Sequence, residues 1–460
     1  MVDYDVIVVG AGTAGTTAAY TLGKKGRSVL LIDRKPRERI GDKTCGDAIA
    51  SHHLVELNDL IGLPNPPKNV IEHLVKGIDL VAPDKMNRIR MSGPSAIGLS
   101  FNRLALGQWL LSLVETTDVE VLPSTRALHL LYDGDKVSGV RIRKAGSDAQ
   151  QDIKSRMVID ASGASGLLRR QLRPSSPIDR EVAAEDIFVA TRCIYETPEY
   201  TFENPDVLEI HWNQDETPGG YTWVFPQGPH RVNVGTGLLT LPGHKNPKMI
   251  FDSFVRPNWD FMKTNLVLID EGGGIAPMRR PIDTMVDDNF MLVGDAACQV
   301  NPVHGGGIGP SMQGGAFAGI TASEALESGD TSIDSLWPYN VRYMKSYGVK
   351  QAGLDIFRWH LLTITNDDII FAFRKGIIQG SDLLSVSVSG EIKSSLVGKI
   401  KRLLSGVGNI PFLRGLSKVS KLMSEIRQLY NEYPESPDGL STWKTRLEPI
   451  YSQVKDKTRI

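Results

Sequence analysis

The hydrophobic pattern at the start of the chain predicts a strand, a helix and a second strand. Residues 6–9 are a short, unbroken apolar run, as expected of a parallel strand that is buried on both faces. Residues 14–24 favour a helix, and residues 28–32 form a second strand-like run that ends just before Asp33. The pattern is typical of a strand–turn–helix–strand unit in an α/β sheet.

The same reasoning predicts most of the elements up to residue 160. A polar loop is expected at 34–47, followed by a helix at 48–60 and a later helix at 103–115, which Asn102 caps. The strands predicted between and after these helices are 72–81, 88–101, 119–122, 125–132, 136–143 and 152–160.

The pattern changes at residue 182 and changes back before residue 290. Residues 182–274 alternate between apolar and polar positions and are rich in aromatics, which is typical of an antiparallel sheet. Its predicted strands are 187–195, 207–212, 221–226 and 231–238. A buried strand at 290–293 and a helix at 309–326 then return to the first style, and the chain beyond residue 329 is helical.

These changes predict three domains, the first of them discontinuous. The predicted boundaries are 1–72, 102–170 and 276–330 for the first domain, 73–101 and 171–275 for the inserted antiparallel sheet, and 331–460 for a helical C-terminal domain.

Three glycines after the first strand carry the first chemical signal. Gly10, Gly12 and Gly15 stand at the G-x-G-x-x-G positions, which allow a tight turn, a close approach of pyrophosphate and close packing of helix on strand. The helix that follows offers free N–H groups to phosphate. Asp33 follows Gly15 by 18 residues and can accept hydrogen bonds from a ribose. Together these features predict a dinucleotide site.

Two later glycine-rich stretches, 159–166 and 294–315, indicate FAD rather than NAD. Asp295 follows a strand and can accept hydrogen bonds from a ribityl chain, and residues 305–307 let backbone approach a flat ring. The helix beyond them directs its positive end at that ring, which favours the anionic reduced flavin. The predicted fold class is α/β, with a Rossmann-like FAD-binding domain, an inserted antiparallel β-sheet domain and a helical C-terminal region. No metal site is predicted.

Composition and charge limit the cellular locations and the binding partners that we expect for this protein. A net charge of -1 gives no electrostatic case for nucleic acid. Three cysteines do not make a disulfide framework, and a first strand that starts at Tyr4 leaves no room for a signal peptide. No apolar run reaches the roughly 18 residues needed to span a bilayer. We expect a cytoplasmic protein, with peripheral contact to the cytoplasmic membrane face as an open alternative.

That alternative depends on a basic amphipathic segment, 392–421, which carries seven Lys or Arg and no acidic residue. Such a segment can lie on an anionic membrane surface. It can equally be a solvated helix face, and the sequence leaves both interpretations open.

The motifs in combination resemble a known family. The early G-x-G-x-x-G, the D-x-S-G at 160–163 and the G-D-A-A and G-G-G-I of the third stretch resemble the p-hydroxybenzoate-hydroxylase-like FAD superfamily. More narrowly, the T-C-G-D at 44–47 and the Y-x-W-x-F-P of Tyr221–Pro226, followed after eight residues by G-x-G, look like the geranylgeranyl reductase family. The resemblance covers about residues 1–330.

The resemblance implies which residues contact the cofactor and substrate. The implied FAD contacts, beyond the glycine motif, are Ala14, Asp33, Cys45, Gly46, Ala48, Arg103, the backbone of Ala127, Asp295, Gly307 and Ile308. Arg103 has the alternative of being a surface charge.

Tyr221, Trp223 and Phe225 alternate along a strand and therefore share one face, which suits a polyprenyl chain over a flavin or, alternatively, an ordinary sheet core. Cys45 is the candidate catalytic residue, as a thiol that donates a proton or positions substrate. Its alternative role is a small loop residue whose backbone touches FAD.

The reaction implied by the resemblance is reduction of isolated C=C bonds in geranylgeranyl chains of an archaeal-type ether lipid or of geranylgeranyl diphosphate. The electron donor is open among NADPH, NADH and a reduced ferredoxin, because residues 271–274 are glycine-rich without the strand and acid of a second dinucleotide unit. A flavin monooxygenase or halogenase of the same superfamily is the nearest rival, since halogenases carry a W-x-W-x-I-P stretch. A prenyl-binding escort protein, which needs no flavin, is the other.

Overall fold

The structure is a computed structural model that describes residues 2–93, 97–241, 243–377, 379–381 and 409–455. Its strands, in chain order, are β1 (Tyr4–Val9), β2 (Val29–Ile32), β3 (Ala48–Ala50), β4 (Ile71–Val75), β5 (Gly77–Val81), β6 (Arg88–Ser92), β7 (Gly98–Phe101), β8 (Glu120–Leu122), β9 (Thr125–Asp133), β10 (Lys136–Lys144), β11 (Gln150–Asp160), β12 (Ile187–Glu196), β13 (Val207–His211), β14 (Tyr221–Pro226), β15 (Arg231–Leu239), β16 (Val267–Pro277), β17 (Val286–Asp287) and β18 (Phe290–Leu292). Its helices are α1 (Thr13–Lys24), α2 (Ser51–Ile61), α3 (Arg103–Val114), α4 (Pro247–Ile250), α5 (Arg256–Asn258), α6 (Ile308–Ser328), α7 (Ile333–Tyr343), α8 (Val349–Leu361), α9 (Asn366–Arg374), α10 (Ile410–Asn431) and α11 (Leu440–Lys455).

The first sheet has the strand order β17-β18-β11-β1-β2-β8. β1 pairs in parallel with β2 on one side and with β11 on the other, and β11 pairs in parallel with β18. Val6, Ile7 and Val8 are fully buried in the centre of this parallel sheet, on which α1 packs. Helices α1 and α6 pack on each other. The turn between β1 and α1, which carries the glycine motif, lies at the N-terminal end of α1.

The second sheet has the strand order β16-β12-β15-β14-β13-β5-β6. All its pairs are antiparallel except β5 with β13, which run in parallel because β5 comes from a separate part of the chain. The predicted α/β class with an inserted, mainly antiparallel sheet is confirmed. Glu271–Gly274, expected to lack the strand and acid of a second dinucleotide unit, lie within the antiparallel edge strand β16.

A small third sheet, β3-β7-β4, corrects three predicted elements. The helix expected at 48–60 begins only at Ser51, because Ala48–Ala50 pairs with β7. The strands expected at 72–81 and 88–101 are each divided in two. The adjoining halves, β5 and β6, join the large antiparallel sheet, whereas the outer halves, β4 and β7, join this small one. The domain boundaries at 73 and 101 therefore stay a prediction.

The helices beyond residue 329 pack on both sheets through buried side chains and ion pairs. Arg358 on α8 is buried and pairs with Asp186 at 2.7 Å and with Asp355 at 2.8 Å. Among the described residues, no helix is long and apolar enough to cross a membrane.

The predicted basic segment 392–421 lies outside the described residues as far as residue 408. From Ile410 onward it forms the start of α10, whose apolar side chains Phe412, Leu413 and Leu416 are buried against the protein. Apart from Ile410, which is 41% exposed, this part of the segment shows no free apolar face.

Candidate cofactor and substrate site

A side chain at each of the three glycines of the first turn would meet different surroundings. Gly10 has a φ of 109°, and a Cβ there would lie 2.3 Å from the Ala161 carbonyl oxygen. A Cβ on Gly15 would lie 1.8 Å from the Gly10 carbonyl oxygen, so both residues are needed for the close approach of α1 to the strand ends. A Cβ on Gly12 would meet no protein atom within 4 Å. Gly12 therefore leaves open space at the N-terminus of α1, which fits a pyrophosphate.

Asp33 is held at the end of β2 beside this turn. Its Oδ2 accepts a hydrogen bond from the Ala11 N–H over 2.7 Å, and its Oδ1 accepts one from the Lys35 N–H over 2.8 Å. The carboxylate keeps lone pairs for ribose hydroxyls. The Thr125 N–H donates to the Asp33 carbonyl over 2.8 Å, which brings the start of β9, and with it Ala127, next to the same turn.

Asp295 and the start of α6 lie across from that turn. A Cβ on Gly307 would lie 3.6 Å from Asp295 Oδ1, and α6 begins at the next residue, Ile308. A Cβ on Gly294 would lie 2.9 Å from the Cβ of Ala14. The first and third glycine-rich stretches therefore meet through Ala14. Asp295 is 8% exposed, and its Oδ2 lies 2.6 Å from Lys43 Nζ.

Arg103 provides the test of whether a phosphate-bearing cofactor fits. It is 7% exposed at the start of α3, and its Nε and Nη1 have no hydrogen-bond partner. A buried guanidinium without partners is costly unless a ligand supplies acceptors. Together with the open space at Gly12 and the buried carboxylate of Asp295, Arg103 fits FAD, and its contact with the cofactor stays a prediction. Because Arg103 is 7% exposed, it is not a surface charge.

The loop with Cys45 and Gly46 packs against the aromatic strand β14. A Cβ on Gly46 would lie 2.9 Å from the ring of Phe225. The rings of Tyr221 and Trp223 are 6.0 Å apart, and those of Trp223 and Phe225 are 6.4 Å apart, so the three share one face as predicted. The Tyr221 hydroxyl donates to the His304 carbonyl over 2.6 Å. The aromatic face therefore meets both the Cys45 loop and the third glycine-rich stretch.

The glycines of the family signature make room for these aromatics. Gly235 on β15 lies opposite Trp223, and a Cβ there would lie 2.2 Å from the indole ring. Gly237 lies opposite Tyr221, and a Cβ there would lie 2.3 Å from the ring of Phe188. The spacing between Y-x-W-x-F-P and G-x-G is thus the length of one hairpin.

Sequence reasoning missed a polar pair behind this face, Asp47 and Asn233. Asp47 is 1% exposed and has a φ of 62°, and Asn233 is fully buried in β15. Asn233 Nδ2 donates to Asp47 Oδ2 and to the Cys45 carbonyl, each over 3.0 Å. The available signal was an asparagine in a strand that, apart from Arg231 and Thr236, is apolar or glycine, since a buried amide needs partners.

Burial controls the protonation of the groups near this loop. Burial raises the pKa of the Cys45 thiol above its ordinary value, so the sulfur carries its proton at neutral pH. Burial also raises the pKa of Asp47 to about 7, against the opposing charges of Arg192 and Arg103. The other cysteines, Cys193 and Cys298, are buried in hydrophobic clusters, as expected for core residues.

Two family models match the chain in the regions that carry these features. Residues 5–171 match the FAD dependent oxidoreductase family, and residues 186–275 match the geranylgeranyl reductase catalytic domain. A digeranylgeranylglycerophospholipid reductase from Sulfolobus acidocaldarius is 36% identical over 98% of both chains. One from Methanothrix thermoacetophila is 30% identical over 85% of this chain and 95% of its own.

The chain belongs to the geranylgeranyl reductase family. This membership confirms the predicted cofactor, FAD, and the predicted enzyme class, a flavin-dependent reductase that acts on geranylgeranyl groups. No single one of the predicted contact residues is tested by the membership, and their roles stay predictions.

Solved structures agree with the fold. A geranylgeranyl bacteriochlorophyll reductase-like protein from Thermoplasma acidophilum has a TM-score of 0.75 at 25% identity, covering 90% of this chain and 99% of its own. The flavin-dependent brominase Bmp2 has a TM-score of 0.64 at 16% identity, covering 94% of this chain and 100% of its own. At that identity the brominase shares the fold alone, so it does not support the halogenase alternative.

Proposed function

We propose that this reductase saturates the C=C bonds of geranylgeranyl chains in an archaeal-type ether phospholipid, with geranylgeranyl diphosphate as the alternative substrate. The observation that carries the proposal is the 36% identity, over 98% of the chain, to the Sulfolobus relative, whose name specifies a digeranylgeranylglycerophospholipid. The aromatic face of β14 supports it, because an apolar wall beside the flavin site suits a hydrocarbon chain.

An isolated alkene has no carbonyl to polarise it, so the addition begins with a proton and ends with a hydride. Reduced FAD supplies the hydride when it is bound. The task of the protein is to hold the chain, exclude water and provide the proton. Tyr221 and Trp223 are 8% and 5% exposed, and we assign them, with Phe225, to the wall that orients the alkene.

We assign the proton to Cys45. Its thiol stays protonated at neutral pH because burial raises its pKa. Its loop packs on Phe225, next to the proposed hydrocarbon wall. A Cys45→Ser variant retains the shape of the side chain and lowers its acidity, so we expect a slower chemical step with lipid affinity little changed.

The electron donor is proposed to dock transiently, as reduced ferredoxin, NADPH or NADH. Within the described residues, the glycine-rich 271–274 belongs to an antiparallel edge strand and gives no second dinucleotide turn. Reducing the bound flavin anaerobically with each donor in turn, and comparing the rates, identifies the physiological class.

Peripheral membrane contact is proposed for the part of the basic segment before residue 409. In the described part, Phe412, Leu413 and Leu416 are already buried in the protein, and Ile410 is 41% exposed. Any lipid contact of this segment therefore depends on 392–408.

The test of the proposed function is product analysis without oxygen. The purified holoenzyme, reduced with dithionite, is incubated with geranylgeranyl ether phospholipid or with geranylgeranyl diphosphate. We expect the lipid to gain two hydrogen atoms for each double bond reduced, as measured by mass spectrometry. Recovery of both substrates unchanged, from protein that retains FAD, would overturn the proposal.

A further inference from the structure

Asp47 lies two residues from Cys45, and the same amide fixes both residues. Asn233 Nδ2 donates to the Cys45 carbonyl and to Asp47 Oδ2, each over 3.0 Å. The orientation of this amide is determined, because Trp223 Nε1 can only donate and lies 2.9 Å from Asn233 Oδ1. Asp47 Oδ2 is therefore an acceptor.

The other carboxyl oxygen, Oδ1, is buried and has no hydrogen-bond partner. An ionised carboxylate with one unsatisfied buried oxygen is poorly stabilised, whereas the neutral acid carries a proton on that oxygen at lower cost. The backbone also fixes the position of Asp47. The residue has a φ of 62°, and its carbonyl accepts a hydrogen bond from the Phe101 N–H over 2.7 Å.

Asp47 also lines a cavity of about 230 Å³ that lies between the small sheet, α3 and the edge of the large sheet. The charged groups that face Asp47 are Arg103 on α3, Arg192 on β12 and Asp270 on β16, with Cys45 on its own loop. The remaining titratable groups around the cavity are Arg39, Asp42, Glu72 and Arg231. The cavity gives the carboxyl a route to water.

We propose that Asp47 is the proton reservoir of the reduction and acts through Cys45. The inference rests on the proposed function of Cys45. When the Cys45 S–H bond breaks, the alkene carbon gains the proton and the sulfur becomes a thiolate. Because Oδ1 makes no hydrogen bond to the sulfur, a water molecule carries the proton of the Asp47 carboxyl to the thiolate, and solvent in the cavity then protonates the carboxylate again. The hydride and its electron pair come from the reduced cofactor, which is oxidised.

The relative acidities agree with this direction of proton transfer. Burial raises the pKa of Asp47 to about 7, whereas the pKa of the Cys45 thiol is raised above 9.0. Transfer from the carboxyl to the thiolate is therefore favourable, and near neutral pH the reservoir is refilled readily. Asp47 is a positioning and proton-holding residue in this scheme, with no contact to substrate assumed.

The first test needs no turnover. Infrared spectra of the oxidised holoenzyme are recorded between pH 4 and pH 9 for the wild type and for Asp47→Asn, which has nearly the same shape and also tolerates a positive φ. We expect the C=O band of a protonated carboxyl to disappear with a midpoint near pH 7 in the wild type and to be absent from the variant. A band that persists in the variant, or none that titrates above pH 5, would overturn the proposal.

Two neighbouring variants give opposite shifts of the same band. Arg192→Gln removes a positive charge and should move the midpoint to higher pH, whereas Asp270→Asn removes a negative charge and should move it to lower pH. Equal midpoints in both variants and the wild type would mean that the band belongs to another carboxyl.

The second test is the steady-state rate of lipid reduction with excess dithionite, because a single turnover uses only the proton that Cys45 already carries. At pH 6, where Asp47 carries its proton, we expect Asp47→Asn to be at least tenfold slower, with unchanged FAD content and lipid affinity, and to lose the pH dependence near 7 that Asp47→Glu restores. A wild-type rate and pH profile in Asp47→Asn would contradict the reservoir. If the wild type itself reduces no lipid, the proposed function fails, while the infrared test still decides the state of Asp47.

Discussion

Trp223 Nε1 donates a hydrogen bond to Asn233 Oδ1 over 2.9 Å. The indole thereby has two tasks, since its ring forms the centre of the aromatic face while its N–H orients the amide that holds Asp47 and Cys45. The apolar wall and the polar loop of the candidate site are linked through this one contact. Substitutions at Trp223 can separate the two tasks.

Trp223→Phe keeps a ring on the aromatic face and removes the N–H. The buried Asn233 Oδ1 then lacks its donor, which should cost about 1–3 kcal/mol of unfolding free energy. Trp223→Ala removes roughly 200 Å² of aromatic surface and should also change which double bonds are reduced. Denaturant unfolding measures the first effect and mass spectrometry of the products the second. Wild-type product patterns in Trp223→Ala, with FAD retained, would mean that the hydrocarbon wall lies elsewhere.

Gly12 and Gly15 provide a matched pair for the cofactor site. Gly12→Ala adds a Cβ where no protein atom lies within 4 Å, so we expect normal folding with a clear loss of bound FAD. Gly15→Ala adds a Cβ 1.8 Å from the Gly10 carbonyl oxygen and should cost about 3 kcal/mol or more of stability. Circular dichroism and the flavin released on denaturation distinguish the two. Full FAD content in a folded Gly12→Ala protein would contradict the assignment of that space to the cofactor.

The titration of Asp47 predicts how stability depends on pH. Its pKa is raised on folding from 3.8 to about 7, so the folded state binds the extra proton and stability falls as pH rises through this window. Relative to Asp47→Asn, the wild type should lose about 1.4 kcal/mol per pH unit there.

For the exposed Asp152 we expect the opposite dependence of stability on pH, and this residue serves as the control for the measurement. Arg141 lowers the pKa of Asp152, so the stabilising effect of that carboxylate is lost as pH falls. Urea unfolding of the FAD-saturated proteins at several pH values is the measurement. A difference between wild type and Asp47→Asn that does not vary with pH would show that Asp47 is ionised throughout.

Membrane contact predicts a dependence on salt. If 392–408 lies on an anionic surface, binding to phosphatidylglycerol vesicles should weaken as salt screens its lysines and arginine, and neutral vesicles should bind little. Replacing Lys399, Lys401 and Arg402 with Gln should reduce binding, whereas Arg414→Gln on the described helix α10 is the matched control. Equal binding at low and high salt, or none, would favour the solvated interpretation of the segment.

Sequence periodicity was enough to predict the parallel sheet and the cofactor turn. An unbroken apolar run before Gly10 and an acid after the second strand leave few alternatives, because both features depend only on local chain geometry. The β14–β15 hairpin was predictable for the same reason. The split of 72–81 was not, because nothing near Lys76 shows that the two halves pair with different sheets.

The polar part of the site was harder to predict than its glycines. In the sequence Asp47 stands in a polar loop and looks solvated, yet it is 1% exposed. Its burial depends on Asn233, which lies 186 residues away in the chain. A carboxyl whose environment is built by such a distant residue gives no local signal. The useful hint was the inward asparagine itself.

The proposed reaction requires that bound, reduced flavin gives its hydride to an isolated alkene of a geranylgeranyl lipid. The most direct measurement mixes the photoreduced holoenzyme with the lipid in a stopped-flow instrument without oxygen and follows flavin absorbance. We expect oxidised flavin to appear with the geranylgeranyl ether phospholipid and not with the same lipid bearing saturated chains. Equal rates with both lipids, or oxidation only after oxygen is admitted, would contradict it.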